Sequence, residues 1–485
     1  MAPTRRNILI IAALFACTLA SAQKPTPKKT TAAKPPVKTS AVWTVKPEWV
    51  RADEGFLAGD TLQGRGSATR DEWIAAEFVA AQFGSFGLKP AAPDQSFIEK
   101  VELITPKLDG KAQIAAAEIS LNEGAGFYLL SSSGESAGGK LQKIAAADAG
   151  KAQIAPGSVV LITDLPSEPR AAMQTARRMS SAGALVLLPD SAALKQIFDA
   201  MLGGKTRVPM RVKGIEAAGG AFRVSNTAVV TADAFAKLAQ LSDGTPVSLT
   251  VHILPTAPAY TYNAIGKIEG SDPAAGAVLL SAHLDHLGMR PKADGGDSIY
   301  NGADDDAAGT TAVIELARAL AAGPKPKRTV YFVCFGSEET GGQGDDYFRN
   351  HPPAPLEQIV ANIEFEMIGA QDPKMPKGVL LLTGWERSNL GPTLKEHGAK
   401  IGPDPYPEQH FFERSDNYAL ALKGVVAQTA AGWGTPPYYH RPDDDLAHLD
   451  FNFMTEAIQS FVAPIQWLAN SDFKPKWNAG GQPKR

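Results

Sequence analysis

Apolar positions in this chain follow two different rhythms. After Pro258, short and mainly apolar runs alternate with amphipathic stretches. Ala277–Ala282 (AVLLSA), Thr329–Phe335 (TVYFVCF) and Ile359–Phe365 (IVANIEF) read as buried strands. Between the first two, Val313, Leu316, Ala317 and Leu320 recur at i, i+3, i+4 and i+7, and Gly323-Pro324 supplies a stop, which predicts a crossover helix from about Ala307 to Ala322. A last helix is expected over about Asn452–Leu468. Near the other end, Thr69-Arg70-Asp71-Glu72 has capping-box spacing ahead of a helix over Trp73–Phe86, which Gly87 would end. Residues 118–256 differ: β-rich runs such as Ser158–Ile162 and Ala184–Leu188 are separated by Gly, Pro and Ser. The expected fold is therefore α/β, a mixed, largely parallel sheet covered by helices on both faces, with a small α+β domain inserted at 118–256. That insert divides the main body into 42–117 and 257–470, and a Pro-, Gly- and Lys-rich flexible tail is expected over 471–485.

The first 41 residues stand apart. Arg5-Arg6, the apolar run Ile8–Ala16 and Ala20-Ser21-Ala22 read as an export signal over 1–22, too short an apolar run to span a bilayer in a mature protein. Residues 23–41 hold almost no large apolar group and are expected to be an extended Lys/Pro-rich tether. The expected location is periplasmic or extracellular. Cys17 leaves with the signal, so Cys334, within an apolar strand pattern, stays alone and is read as inert core.

The 485 residues are 44% hydrophobic and 20% charged, which excludes disorder as a description of the whole. Lys plus Arg number 48 against 51 acidic groups; residues 1–41 hold seven of the basic ones and no acidic one, leaving 41 against 51, a net −10, on the remainder. A body of that sign without a basic stripe argues against nucleic acid as partner. It suits a protein that gathers cations.

Candidate ligands fall where the apolar strands end. His283-Leu284-Asp285-His286 follows the first strand, Asn301-Gly302-Ala303-Asp304-Asp305-Asp306 precedes the crossover helix, Glu338-Glu339 follows the second strand, and Glu366 follows the third. In open α/β sheets these ends converge. Imidazole and carboxylate together suit zinc or a similar divalent ion. Each piece alone has a plainer reading. Asp304–Asp306 could cap the helix behind them, Glu338-Glu339 could be a solvated turn, and His283 could be a hydrogen-bonded core residue. Asp443–Asp445 reads as a charged turn before a helix, and His286, His351, His397, His410 and His448 read as structural or surface residues. The order of the segments, each at a strand end, favours a metal pocket.

With Phe335-Gly336-Ser337-Glu338-Glu339, Glu366-Met367-Ile368-Gly369 and Tyr439-His440 added, these segments resemble the successive motifs of the co-catalytic di-zinc aminopeptidases. That family includes bacterial leucine-type enzymes and has glutamate carboxypeptidase and transferrin receptor as relatives. The resemblance runs from about residue 54 onward, and the insert resembles a protease-associated domain. It implies peptide substrates and two zinc ions, one held by His283 and Glu366, the other by Glu339 and His440, with Asp305 bridging both. It further implies a cis peptide between Asp305 and Asp306, Asp285 orienting the His283 ring, and Glu338 as general base toward a metal-bridging water. Ser415-Asp416 matches a further motif near the site. Three positions depart from the pattern: Glu366 where many members have Asp, Asn417 where His is common, and Phe412 in the place of a carbonyl-polarising Tyr. Tyr438, Tyr439 or Arg414 could supply that donor instead. Besides an aminopeptidase, the chain could be a carboxypeptidase using Arg414 and Arg441 toward a substrate carboxylate. A non-catalytic binder like transferrin receptor is the third reading, while the full ligand set disfavours a single-zinc glutaminyl cyclase.

Overall fold

The computed structural model describes residues 43–484 apart from 149–150, 156, 169–170, 173–174, 176–178, 180–184, 203, 216–225 and 291–294. The expected export signal and tether lie outside the described residues.

The larger sheet is built from β1 (Ile98–Ile104), β2 (Arg211–Val212), β3 (Ala259–Ile268), β4 (Ala277–His283), β5 (Thr329–Phe335), β6 (Ile359–Glu366), β7 (Leu380–Leu382), β8 (Ile401–Pro403) and β9 (Ala427–Ala431). Their spatial order is β2-β1-β3-β5-β4-β6-β9-β7-β8. At its centre, β4 runs parallel to both β5 and β6, and β6 runs parallel to β9, whereas β3 and β7 are antiparallel to their neighbours β5 and β9. The mixed sheet expected from the apolar runs is thus present, but its parallel pairs lie mainly at the centre: β2, β1 and β3 pair antiparallel at one side, so antiparallel pairs are at least as many as parallel ones.

Every residue of β4 is buried, because helices cover both faces. Four of the helices among the described residues matter most for the site: α1 (Pro47–Leu57), α2 (Arg70–Ser85), α3 (Gly309–Ala321) and α4 (Phe451–Asn470). Val278, Leu280 and Ala282 join a core with Val313 and Leu316 of α3 and Phe461 and Ile465 of α4. Leu279, between them, points to the opposite core with Phe348, Leu420 and Ala421. This alternation is the period-two geometry of a strand buried on both sides. Burial of each such side chain contributes about 1.5–3 kcal/mol.

Local chemistry sets the helix boundaries. Thr69 accepts the Asp71 and Glu72 N–H groups at the start of α2. Glu72 reaches back to the Ala68 N–H at 2.9 Å, one residue further than a standard capping box. Gly87 follows the helix with φ of 81°, a left-handed position that glycine adopts without a Cβ clash. α3 begins at Gly309, because Asp305 (φ −111°, ψ 93°) and Asp306 (φ −133°, ψ 44°) are not helical. The peptide between them is cis.

A second sheet carries its own apolar cores, with Ile114, Leu129, Leu161 and Leu187 on one face and Val160, Ile162, Val186 and Leu188 on the other. Its strands run from Gln113–Ala116 to Pro246–Thr250, so it takes in residues ahead of 118. The chain also leaves this region once, at β2, to pair with β1 of the larger sheet.

Residues after Asp472, expected to form a flexible tail, are instead tied down. The Lys476 N–H donates to Asn389 Oδ1 at 2.7 Å, the Trp477 indole N–H donates to the Gly424 carbonyl at 3.1 Å, and the Asn478 N–H donates to the Arg387 carbonyl at 2.8 Å. The Trp477 ring also meets Phe412 edge-on at 6.2 Å. One large indole offsets the ordering entropy of a segment whose remaining composition suggests fraying.

Candidate metal centre

Adjacent parallel strands end together. His283 is the last residue of β4 and pairs in register with Phe335, the last residue of β5; Glu366 closes β6 on the other side of β4. The turn Gly336-Ser337-Glu338-Glu339 therefore leaves the sheet next to His283. Asp305 arrives from the irregular turn ahead of α3, and His440 from a loop beyond β9. The His283 Nε2 atom lies 3.2 Å from Asp305 Oδ1, while His440 Nε2 lies 3.1 Å from Asp305 Oδ2 and 3.2 Å from Glu339 Oε1. Asp305 thus presents one oxygen to each histidine. His283, Asp305 and Glu366 offer ligand atoms all within 4.8 Å of one another, and so do His286, Asp305 and Glu339.

The three consecutive aspartates do different jobs. Asp304 accepts the Gly369 N–H at 2.7 Å and the Tyr438 hydroxyl at 3.1 Å. Asp306 accepts from the Gly309, Met367 and His283 amides at 2.9, 3.0 and 3.2 Å, so it caps α3 and ties the ends of β4 and β6 together. Only Asp305 faces the histidines. Of the two readings that compete in the sequence, helix capping belongs to Asp306, which leaves the Asp305 carboxylate to face the histidines.

Asp285 acts mainly through its carboxylate on the turn after β5, accepting the Glu338 N–H at 2.8 Å and the Glu339 N–H at 3.2 Å. The His283 ring meets the Asp285 backbone carbonyl at 3.1 Å, closer than the carboxylate at 3.8 Å. Behind the turn, buried Glu72 accepts the Ser337 hydroxyl at 3.1 Å and that of Thr261 at 2.8 Å.

Electrostatics separate the acids. Burial alone would raise the carboxyls of Asp305 and Glu339, but hydrogen bonds from the site histidines hold Asp305 well below its usual range and Glu339 down to about 2. Burial pushes Glu338 well above the ordinary glutamate value, with nearby Glu339 and Glu366 adding to the rise and His283 opposing it. For His440, burial favours the neutral ring, and Asp305 with Glu339 outweighs it, raising the group to about 10.

The donor set fits a divalent cation. His283 Nε2, both ring nitrogens of His286 and Glu339 Oε1 are buried, and among the described residues they find no hydrogen-bond partner outside this cluster of histidines and carboxylates. Orphaned buried polar atoms are costly unless something else satisfies them. Mixed nitrogen and oxygen donors suit zinc better than an all-oxygen cage.

Residues 263–463 match Peptidase family M28. Among curated proteins, the chain is 24% identical over 206 residues to aminopeptidase YwaD of Bacillus subtilis, covering 41% of this chain and 42% of that protein. It is 30% identical over 187 residues to leupeptin-inactivating enzyme 1 of Streptomyces exfoliatus, covering 38% of each. The chain thus spans less than half the length of these relatives. Among solved structures, BSAP, a zinc aminopeptidase from Bacillus subtilis, aligns with a TM-score of 0.49 at 16% identity, over 88% of this chain and 96% of that one.

Two residues of the matched segment escape the sequence reading. Asp444, read there as part of a charged turn, is fully buried and accepts the main-chain N–H groups of Asp304 and Asp305. His286, read as structural or surface, lies buried beside Asp305 and Glu339. A signal for His286 did exist: it stands three residues after His283 in the same strand-end segment. For Asp444, sequence offered none, because its partners are backbone amides some 140 residues away. Phe412 does not face the ligands; it packs in the core with Leu420, under the Arg387 guanidinium at 4.5 Å. Of the suggested replacement donors, the Tyr438 hydroxyl is engaged by Asp304, whereas the Tyr439 ring stacks on His440 at 3.9 Å.

Proposed function

We propose that this protein is a zinc-dependent metallopeptidase that releases amino-terminal residues from peptides. The observation that carries the reading is the convergence of His283 and His440 on opposite oxygens of one buried carboxylate, Asp305. In this reading His283 and Glu366 would hold one zinc ion, Glu339 and His440 would hold a second, and Asp305 would be shared between the two. When bound, such a pair of ions polarises the scissile carbonyl and acidifies water. The chain's own part is proton handling and positioning. Glu338, raised by burial, takes a proton from the attacking water and returns it to the leaving amine. Asp285 positions Glu338 and Glu339 through their amides. Tyr439, stacked beside His440, is a candidate hydroxyl donor to the substrate carbonyl.

The same reading takes 42–117 and 257–470 as the catalytic body and 118–256 as a protease-associated-like insert. It also takes residues 1–22 as an export signal, for which the amino-terminal sequence of the mature protein, expected to begin at Gln23, is the check.

The test of the activity combines zinc content with hydrolysis of one dipeptide carrying a free amino terminus and of its N-acetylated copy. Two zinc ions per chain and cleavage of the free form alone is the expected result. Preference for the blocked form would replace the aminopeptidase with a carboxypeptidase. A folded protein without metal or turnover would point to a binding function.

A further inference from the structure

We propose that His286 is itself a metal ligand, the fourth protein side chain on the ion assigned above to Glu339, His440 and Asp305; the inference rests on that di-zinc reading and deepens it. His286 is 1% exposed; its Nδ1 atom pairs with a carboxylate, and its Nε2 atom has no hydrogen-bond partner among the described residues. Its Nδ1 atom lies 2.8 Å from Glu339 Oε1 and 3.8 Å from Asp305 Oδ2. These are the same two oxygens that His440 Nε2 approaches at 3.2 and 3.1 Å. In a tetrahedral zinc site with bonds of about 2.0–2.1 Å, neighbouring ligand atoms stand roughly 3.4 Å apart. The four distances straddle that edge length, and the two rings meet edge to face, with centroids 5.6 Å apart.

The seat of this ring is built rather than incidental. The His286 N–H donates to the Arg65 carbonyl at 3.1 Å. The buried Arg65 guanidinium in turn donates to the carbonyls of Leu57, Leu284, Asn301 and Gly302. Gly302, at φ of 62°, leaves the ring its space: a Cβ there would fall 2.4 Å from His286 Cγ. His440, by contrast, is 35% exposed on a loop, at φ of 58°. An ion with four protein ligands occupies a closed site, whereas His283, Asp305 and Glu366 leave a position open for water or substrate. The two sites are therefore unequal, and the His286 site is the tighter one.

The test uses the full chain, stripped with a chelator and titrated with zinc alone, followed by calorimetry and metal analysis. Wild type is expected to bind two ions in two resolved steps, and His286→Gln to lose at least tenfold affinity in the tighter step with the weaker step unchanged. X-ray absorption of wild type carrying one equivalent of zinc serves if the variant does not fold: two imidazoles per ion are expected. A variant that keeps both affinities within twofold, or a single imidazole on the first ion, overturns the role of His286. Wild type that binds no zinc overturns the di-zinc reading itself.

Discussion

Asp444 holds Asp305 by its main chain: the Asp444 Oδ2 atom accepts the Asp305 N–H at 3.1 Å, while Oδ1 accepts that of Asp304 at 2.7 Å. The carboxylate that faces both histidines is thus fixed through its main chain by a second buried acid. Asp444→Ala removes both acceptors and leaves two buried amides without partners. Metal affinity is expected to fall about 10- to 100-fold, the usual cost of losing a group that orients a ligand. Asp444→Asn, which keeps one accepting oxygen, should recover part of it. Equilibrium dialysis against buffered zinc checks this, and unchanged affinity in a folded Asp444→Ala protein would remove Asp444 from the positioning role.

Removing Asp305 itself acts differently. Asp305→Ala deletes the carboxylate that faces both His283 and His440, so neither ligand set is complete. Loss of both ions in metal analysis is expected, with the helical and strand content preserved in circular dichroism. Retention of two tightly held ions would show that Asp305 is not shared.

Glu338→Gln separates chemistry from metal binding. The substitution keeps the Glu338 amide that Asp285 holds, and it removes the group that carries the proton. Turnover is expected to fall by at least about 10²- to 10⁴-fold, the range for general acid–base catalysis. Zinc content should match wild type. A variant of near-normal activity would assign the proton transfer elsewhere.

What could be read from the sequence divides along physical lines. The runs ending at His283, Phe335 and Glu366 were legible because a strand buried on both faces is largely apolar, although β6 also buries Asn362 and Glu364. The α3 stripe of Val313, Leu316, Ala317 and Leu320 was legible for the same reason: local periodicity reports local burial. Its start at Gly309 was not, because the turn through Asp305 and Asp306 is dictated by Asp444, Asp304 and Asp306 bonding to distant amides. His286 and Asp444 share that difficulty. A buried polar residue looks like a surface one until its partners are known.

A pH effect on stability is expected from Glu99, away from the ligands. Its carboxylate is 3% exposed on β1, accepts the Asn263 side-chain amide at 2.7 Å through Oε2, and leaves Oε1 without a partner. Burial raises the group from its ordinary 4.5 to about 7; the Asn263 hydrogen bond opposes the rise and the Asp94 charge adds to it. The folded chain therefore holds this proton more tightly than the unfolded chain. By linkage, the stabilisation is complete below about pH 4.5, declines as pH rises toward about 7, and is flat above, a change on the order of 3 kcal/mol. Glu99→Gln removes the titration while its amide oxygen can still accept from Asn263. Wild type should lose stability relative to this variant as pH rises from 5 toward 7, by roughly 1.4 kcal/mol for each pH unit crossed. Melting curves of both proteins from pH 5 to pH 8 decide the matter, and a difference in Tm that does not vary with pH would mean that Glu99 titrates normally. Asn263 also accepts the Gly336 N–H at 3.0 Å, so it links Glu99 to the turn that carries Glu338. The same variant should then flatten any loss of activity that tracks the melting data.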